Sequence, residues 1–132
     1  PQDDPKYFDE QIKPRLQKTD TYLGHLNQSE IHQQMKAAAA VVSAVRWEEP
    51  FGLTTVEAMS SGVPVAGFDR GAFAELVDDK SGVVSSQKNL KSLAEAVEKA
   101  VLLNSFDVRK RAEDFSLQKM AENYLQFFKE LL

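Results

Sequence analysis

Residues 39–59 read AAVVSAVRWEEPFGLTTVEAM and join three local patterns that together indicate the fold. The small and apolar run at residues 39–45 is typical of a strand that is buried on both faces of a parallel sheet. A Pro-Phe-Gly turn follows, and Thr54 or Thr55 can then cap a short helix that continues through Met59. The stretch therefore predicts a buried strand, a loop and a helix in succession.

Strand patterns recur on both sides of this stretch. The run at residues 63–68 predicts a second buried strand, with Pro64 near its first residue, where a missing N–H is tolerated. Residues 83–84 predict a last strand, and the β-prone run at residues 21–23, which Gly24 stops, predicts an early one. Strands that alternate with helices at this spacing indicate an α/β fold, with a Rossmann-like parallel sheet and flanking helices.

Helical patterns occupy the rest of the chain. Ser29 can cap a helix that has Glu30 in its first turn, and Asn89 can cap a helix with a clear apolar stripe. The final segment, residues 108–132, is helical in pattern and is expected to break near Ser116. Shorter helices are expected at residues 7–16, where Pro14 should distort or end the helix, and at residues 73–77.

The composition narrows the class of protein. The 132 residues fit one domain that is large enough to bury a core, and this domain is taken as residues 1–132. The net charge of −4 offers no electrostatic surface for nucleic acid or an anionic membrane. The chain has no cysteine, so a reducing cytoplasm is the expected compartment, and no apolar run approaches the ~20 residues that span a bilayer.

Two carboxylates, Glu49 and Glu57, stand eight positions apart across the turn and the helix start. In open α/β sheets ligands bind beyond the carboxyl ends of the strands, which is where this loop lies. The N–H groups near Leu53 and Thr54 open a helix and attract phosphate. The arrangement suits a ligand with hydroxyls at both ends and negative charge between them. The structural alternative is a common turn followed by a glutamate that complements the helix dipole.

The whole string resembles the donor-binding signature of one enzyme family. EPFGLTTVEAM at residues 49–59 is followed by SGVPV at residues 61–65 and GAFAE at residues 71–75. This order resembles retaining glycosyltransferases of family four, which have the GT-B fold, and the resemblance extends from about Tyr7 to the C-terminus. It implies a metal-independent enzyme with no cofactor, which transfers a sugar from a nucleotide-diphosphate sugar to a carbohydrate or lipid-linked acceptor with retention of configuration.

The resemblance also implies roles for individual residues. Glu49 would be the catalytic residue and would bind the hydroxyls of the donor sugar, while Glu57 would accept hydrogen bonds from the ribose. His25 lies in the loop that passes near the nucleobase, although a structural role for this histidine stays open. The donor-binding residues that the resemblance implies are Glu49, Phe51, Gly52, Leu53, Thr54, Glu57 and His25.

A GT-B enzyme has two Rossmann-like domains, and the resemblance covers only part of the second. It implies that the N-terminal domain is missing, together with the first strand–helix–strand of the C-terminal domain, which supplies an Arg and a Lys to the diphosphate. The chain is therefore expected to be an incomplete half of a GT-B fold and to be inactive alone. Peripheral attachment to the membrane is expected only of the longer enzyme.

The missing strands should leave exposed surfaces. In a sheet of order 3-2-1-4-5-6, loss of the first two strands exposes the edge of the strand at residues 39–45. We expect this edge either to pair with rearranged strands of the same chain or to associate with a second chain. The C-terminal helix has an apolar stripe that either packs in the core or forms an interface, and it consists of Met120, Tyr124, Phe127, Phe128 and Leu131.

Two other functions remain open from the sequence. The chain can be a non-catalytic module that binds a nucleotide or a protein partner. It can also belong to an epimerase or a phosphorylase that uses the same fold and pocket.

Overall fold

The computed structural model describes residues 5–131. The chain begins with one turn of α-helix, α1 (Pro5–Tyr7), which continues as a π-helical turn and a 3-10 turn through Arg15. The helices that follow are α2 (Gln28–Ala37), α3 (Leu53–Ser60), α4 (Phe73–Leu76), α5 (Leu90–Ala100), α6 (Ser105–Glu113) and α7 (Leu117–Glu130). The strands are β1 (Val41–Ser43), β2 (Val65–Phe68) and β3 (Gly82–Ser85).

The three strands form one parallel sheet in the order β1-β2-β3. Val65 of β2 lies opposite Val41 of β1 and Gly82 of β3, and the register continues to the end of each strand. All four residues of β2 are buried, as the sequence predicted for a central strand of a parallel sheet. The α/β class and the parallel sheet are therefore confirmed.

Helices cover both faces of the sheet. Successive residues of β2 point to opposite faces, so Val65 belongs to the larger core and Ala66 to the smaller one. The smaller core is closed by Ala96 and Ala100 of α5. The larger core contains Met35, Ala58, Met59, Val65, Phe73, Leu76, Val77, Val108 and Ala112.

Local capping signals set most of the helix ends. Asn89 accepts the N–H of Ser92 at the start of α5, and Ser116 caps α7, so the predicted break between the last two helices is confirmed. The predicted cap at Ser29 is wrong. Asn27 caps α2 instead, because its side chain accepts the N–H of Glu30 while the Glu30 carboxylate accepts the N–H of Asn27.

One strand prediction is wrong, and another holds for only part of its length. Residues 21–23 form no strand and are exposed, and the Tyr22 ring packs against Phe8 in a tilted arrangement, with ring centroids 4.1 Å apart. The strand predicted at residues 39–45 shrinks to β1, and Val42 is 48% exposed rather than buried. Both errors have one cause: a strand needs a neighbour, and within residues 5–131 nothing pairs with the outer edge of β1. Rearranged pairing by residues 21–23 does not occur.

The C-terminal helix lies outside the core. No residue of α7 is buried, and the apolar stripe of Met120, Tyr124, Phe127, Phe128 and Leu131 is 48% to 66% exposed. The interpretation of this stripe as an exposed face is therefore confirmed over that of core packing. No helix within residues 5–131 is long and apolar enough to cross a membrane.

Candidate functional site

A cavity of about 300 Å³ opens at the carboxyl edge of the sheet, where the loop after β1 meets the start of α3. We call it the Glu49 cavity. Its deepest walls are apolar, because Phe68, Phe73 and Leu76 are each at most 7% exposed. Its lining consists of Ser43, Val45, Glu49, Pro50, Phe51, Gly52, Leu53, Thr54, Thr55, Phe68, Arg70, Phe73 and Leu76.

Glu49 is held in place by contacts at both its side chain and its backbone. The indole N–H of Trp47 donates to Oε2 of Glu49 at 3.0 Å. The N–H of Ala72 donates to the Glu49 carbonyl, also at 3.0 Å. A half-buried carboxylate with acceptor capacity left over therefore lines the cavity at a fixed position.

The start of α3 adds hydrogen-bond donors to the same cavity. Gly52 precedes the helix with φ +83°, a left-handed conformation that a residue with a side chain rarely adopts. The first hydrogen bond of the helix runs from the N–H of Thr55 to the Gly52 carbonyl at 3.0 Å. The N–H groups of Leu53 and Thr54 come before this bond and have no partner within the helix. The predicted cap by Thr54 or Thr55 is wrong, since no side chain caps α3.

Glu48 was not predicted as a site residue, yet it joins two loops beside the cavity. Its Oε1 lies 2.7 Å from Nη1 of Arg70, and its Oε2 accepts the N–H of Gly71 at 2.6 Å. The Gly71 N–H, followed by the Arg70 guanidinium, holds the pKa of the Glu48 carboxyl below its usual value. The sequence gives no signal of this pairing, because the partners are 22 and 23 residues away.

Five of the seven predicted donor-binding residues line the Glu49 cavity, and two do not. Glu57 is in the middle of α3, and its Oε1 accepts a hydrogen bond from Nε2 of Gln28 at 2.8 Å. His25 lies in the exposed segment before α2 and is not in the lining. The five residues that the structure brings together are Glu49, Phe51, Gly52, Leu53 and Thr54.

The motif at residues 71–75 and the arginine before it have structural or accessory positions. Gly71 forms a turn with φ +51°, and the carbonyl of Glu75 accepts a hydrogen bond from Arg111 at 2.8 Å. Arg70, which was not among the predicted donor-binding residues, also lines the cavity. Within the described residues, no three of the His, Asp and Glu side chains come close enough to hold a metal ion.

Comparison with known proteins gives matches over most of the chain. A lipopolysaccharide core biosynthesis mannosyltransferase of Rhizobium meliloti is 36% identical over 95 residues, which are 67% of this chain and 27% of that protein. A glycogen synthase of Mycobacterium tuberculosis is 28% identical over 130 residues, which are 92% of this chain and 31% of the synthase. The chain thus spans less than a third of the length of these relatives.

A solved structure confirms the fold. Sucrose-phosphate synthase from Thermosynechococcus elongatus superposes with a TM-score of 0.62 at 23% identity, over 84% of this chain and 30% of that one. The similarity supports the prediction of a partial GT-B fold. The profile of the family described as "Glycosyl transferases group 1" matches residues 2–120. The chain belongs to the group 1 glycosyltransferase family.

Proposed function

We propose that this chain is the donor-binding part of a retaining glycosyltransferase. The longer enzyme would transfer a sugar from a nucleotide-diphosphate sugar to a carbohydrate or lipid-linked acceptor. The observation that supports this most directly is the Glu49 cavity, in which a fixed carboxylate and the start of α3 face one space. Hydroxyl groups and a diphosphate are the partners that these two features select.

The sugar end of the donor would bind at Glu49. Its carboxylate accepts hydrogen bonds from hydroxyl groups, and the indole of Trp47 keeps it in one orientation. The apolar walls at Phe68 and Phe73 lower the local dielectric, which strengthens these hydrogen bonds. In this proposal Glu49 is the catalytic residue, since it contacts the sugar whose bond to the phosphate breaks.

The diphosphate would lie at the start of α3. The backbone N–H groups at Leu53 and Thr54 and the positive end of the helix dipole stabilise negative charge there. The backbone at Phe51 and Gly52 would contact both the sugar and the diphosphate, because Gly52 has no side chain to hold the ligand away. No metal or other cofactor is proposed.

The nucleoside would extend toward α2. Glu57 would accept hydrogen bonds from the ribose hydroxyls, so its hydrogen bond with Gln28 would have to be shared or replaced on binding. His25 would pass near the base. Both residues lie outside the Glu49 cavity, in keeping with a donor that is longer than this cavity.

The relatives support a carbohydrate or lipid-linked acceptor. One is named for the lipopolysaccharide core and the other for glycogen, and both are much longer than this chain. We therefore propose that most of the acceptor site and further cations come from the rest of a longer protein, and that this protein works in the cytoplasm.

Binding measurements on the 132-residue chain test these assignments. The Glu57→Ala variant should bind a nucleoside diphosphate about 10- to 150-fold more weakly, because a hydrogen bond to a charged acceptor contributes about 1.5–3 kcal/mol. The Glu49→Ala variant should lose affinity only for the complete nucleotide sugar. Both affinities can be measured by titration calorimetry with uridine, guanosine and adenosine diphosphates and with their glucose or mannose esters.

The Glu98→Ala variant is the matched control, because Glu98 is an exposed carboxylate on α5. It should bind every ligand as the unaltered chain does. Unchanged nucleoside diphosphate affinity in Glu57→Ala would contradict the ribose assignment. Equal losses for the sugar ester and the free diphosphate in Glu49→Ala would contradict the sugar assignment.

A further inference from the structure

A second cavity lies beside the Glu49 cavity and is lined mainly by cations. Its volume is about 310 Å³, and its lining is Val45, Arg46, Phe68, Arg70 and Lys88. Three of these residues, Val45, Phe68 and Arg70, also line the Glu49 cavity, so the two spaces adjoin. We call the second space the basic cavity.

The topology of the sheet brings the three cations together. Arg46 follows β1, Arg70 follows β2 and Lys88 follows β3. Because parallel strands end at the same edge of a sheet, residues that are far apart in sequence meet there. The segment after each of the three strands thus places one cation at the basic cavity, on the edge of the sheet where ligands bind in such folds.

The charged residues that line the basic cavity are all cations, although the whole chain is negative. Glu48 pairs with Arg70 at 2.7 Å, and the charge of Lys88 also acts on Glu48. Among residues 5–131, neither Arg46 nor Lys88 forms an ion pair with a carboxylate. The lining thus carries three cations and no carboxylate, and one of the three, Arg70, is paired with Glu48 outside the lining, while the chain carries −4 overall.

The cations also have hydrogen-bond donors to spare. Arg70 uses one guanidinium nitrogen for Glu48, and a guanidinium has five N–H groups. Arginine and lysine together match the oxygens of a phosphate group, which arginine binds through two parallel hydrogen bonds. The apolar wall formed by Val45 and Phe68 lowers the local dielectric and strengthens such contacts.

We propose that the basic cavity binds a phosphate monoester carried by the acceptor, next to the donor sugar. The assignment of the phosphate to an acceptor rests on the proposed function, whereas the anion site itself does not. The lining contains none of the residues of the turn or the helix start at residues 49–55, where the donor diphosphate is placed. The volume exceeds that of a phosphate group, so part of the molecule that bears it can enter as well.

Titration of the 132-residue chain with inorganic phosphate tests the site. Amide NMR spectra at constant ionic strength should show saturable shifts in the loops after β1, β2 and β3. The Arg46→Gln and Lys88→Gln variants should each bind phosphate at least about fivefold more weakly. The Lys110→Gln variant, which removes the same charge from an exposed position on α6, should bind within twofold of the unaltered chain. Equal weakening in all three variants, or shifts that do not saturate, would overturn the proposal.

A second titration separates this site from the donor site. With uridine or guanosine diphosphate present at saturation, inorganic phosphate should still bind in the basic cavity. Displacement of phosphate by the nucleotide would assign the cavity to the donor diphosphate and would overturn the proposal. If phosphate binds while no nucleoside diphosphate does, the anion site stands and the proposed donor function fails for this chain.

Discussion

The Glu48 carboxylate joins two loops, since it lies 2.7 Å from the Arg70 guanidinium and accepts the N–H of Gly71 at 2.6 Å. One loop follows β1 and the other follows β2. Glu49, the next residue in the sequence, and Arg70, the partner of Glu48, both line the Glu49 cavity. The pairing therefore fixes the distance between two walls of the cavity, and Glu48 acts as a positioning residue.

The Glu48 contacts should weaken at acid pH. The Gly71 N–H and the Arg70 charge lower the pKa of this carboxyl from its ordinary value of 4.5. A lowered pKa means that the stabilisation is complete above pH 4.5 and is lost as the pH falls through the lower, folded-state pKa. The carboxyl resonance of Glu48, followed by NMR, should therefore titrate below pH 4.5.

The Arg70→Gln variant should raise the pKa of Glu48 only in part, because the Gly71 N–H is the larger cause and remains. The Lys110→Gln variant loses the same charge far from Glu48 in the sequence and should leave the titration in place. If both variants shifted it equally, general charge rather than the specific contact would be responsible.

Gly71 should not tolerate a side chain. Its φ is +51°, and a Cβ there would lie 2.1 Å from the Glu49 carbonyl oxygen. Gly71→Ala should therefore lower the free energy of unfolding by at least about 2 kcal/mol, because the two loops must move apart. Urea denaturation followed by circular dichroism measures this loss.

Gly24→Ala is the control for the backbone conformation alone. Gly24 has φ +68°, but a Cβ there would meet nothing within 4 Å. Its cost should be about 1 kcal/mol. Equal costs for the two variants would mean that the approach of Gly71 to Glu49 is relaxed in solution.

Replacement of Arg111 by lysine should destabilise the fold. Its Nε and Nη2 donate to the carbonyls of Leu76 and Glu75 at 2.9 and 2.8 Å, and its guanidinium lies 4.9 Å from the centroid of the Phe115 ring. Lysine cannot donate to both carbonyls in this planar geometry. Arg111→Lys should lose about 1–2 kcal/mol of unfolding free energy.

The matched substitution Arg109→Lys on the exposed side of α6 should change stability by less than about 0.5 kcal/mol in the same denaturation experiment. A similar loss at both positions would show that the guanidinium contacts of Arg111 contribute nothing specific.

Features that depend on adjacent residues were predictable from the sequence. The four apolar residues of β2 indicated a buried strand, and Asn89 and Ser116 indicated helix starts. The residues that line the Glu49 cavity from residue 49 to residue 54 are consecutive, so one motif locates them.

Features that depend on distant partners were not predictable. Residues 21–23 have strand propensity but no strand beside them, and Val42 is exposed because β1 is an edge. The hydrogen bond between Gln28 and Glu57 joins residues 29 positions apart, and the pair of Glu48 and Arg70 joins residues 22 apart. Propensity and spacing carry no information on such contacts, since the packing of whole elements determines them.

Substitution of two methionines tests whether the apolar face of α7 is exposed to water or covered by a second copy of the chain. Met59 is fully buried in the larger core, whereas Met120 on α7 is 48% exposed. Met59→Ala should therefore lower the free energy of unfolding by about 2–5 kcal/mol, because it leaves a cavity. Met120→Ala makes the same chemical change on the surface and should cost less than about 1 kcal/mol. Urea denaturation at two protein concentrations measures both costs.

The concentration dependence decides the meaning of the Met120 result. A small cost that is the same at 5 and 200 μM would show that the apolar face of α7 stays in contact with water. A cost that grows with concentration would show that a second copy covers this face, since burial in an interface makes the methionine contribute as a core residue does. A large cost at both concentrations, in a chain that is monomeric at 5 μM, would contradict the exposed position of α7, because packing within one chain gives a loss that dilution does not remove.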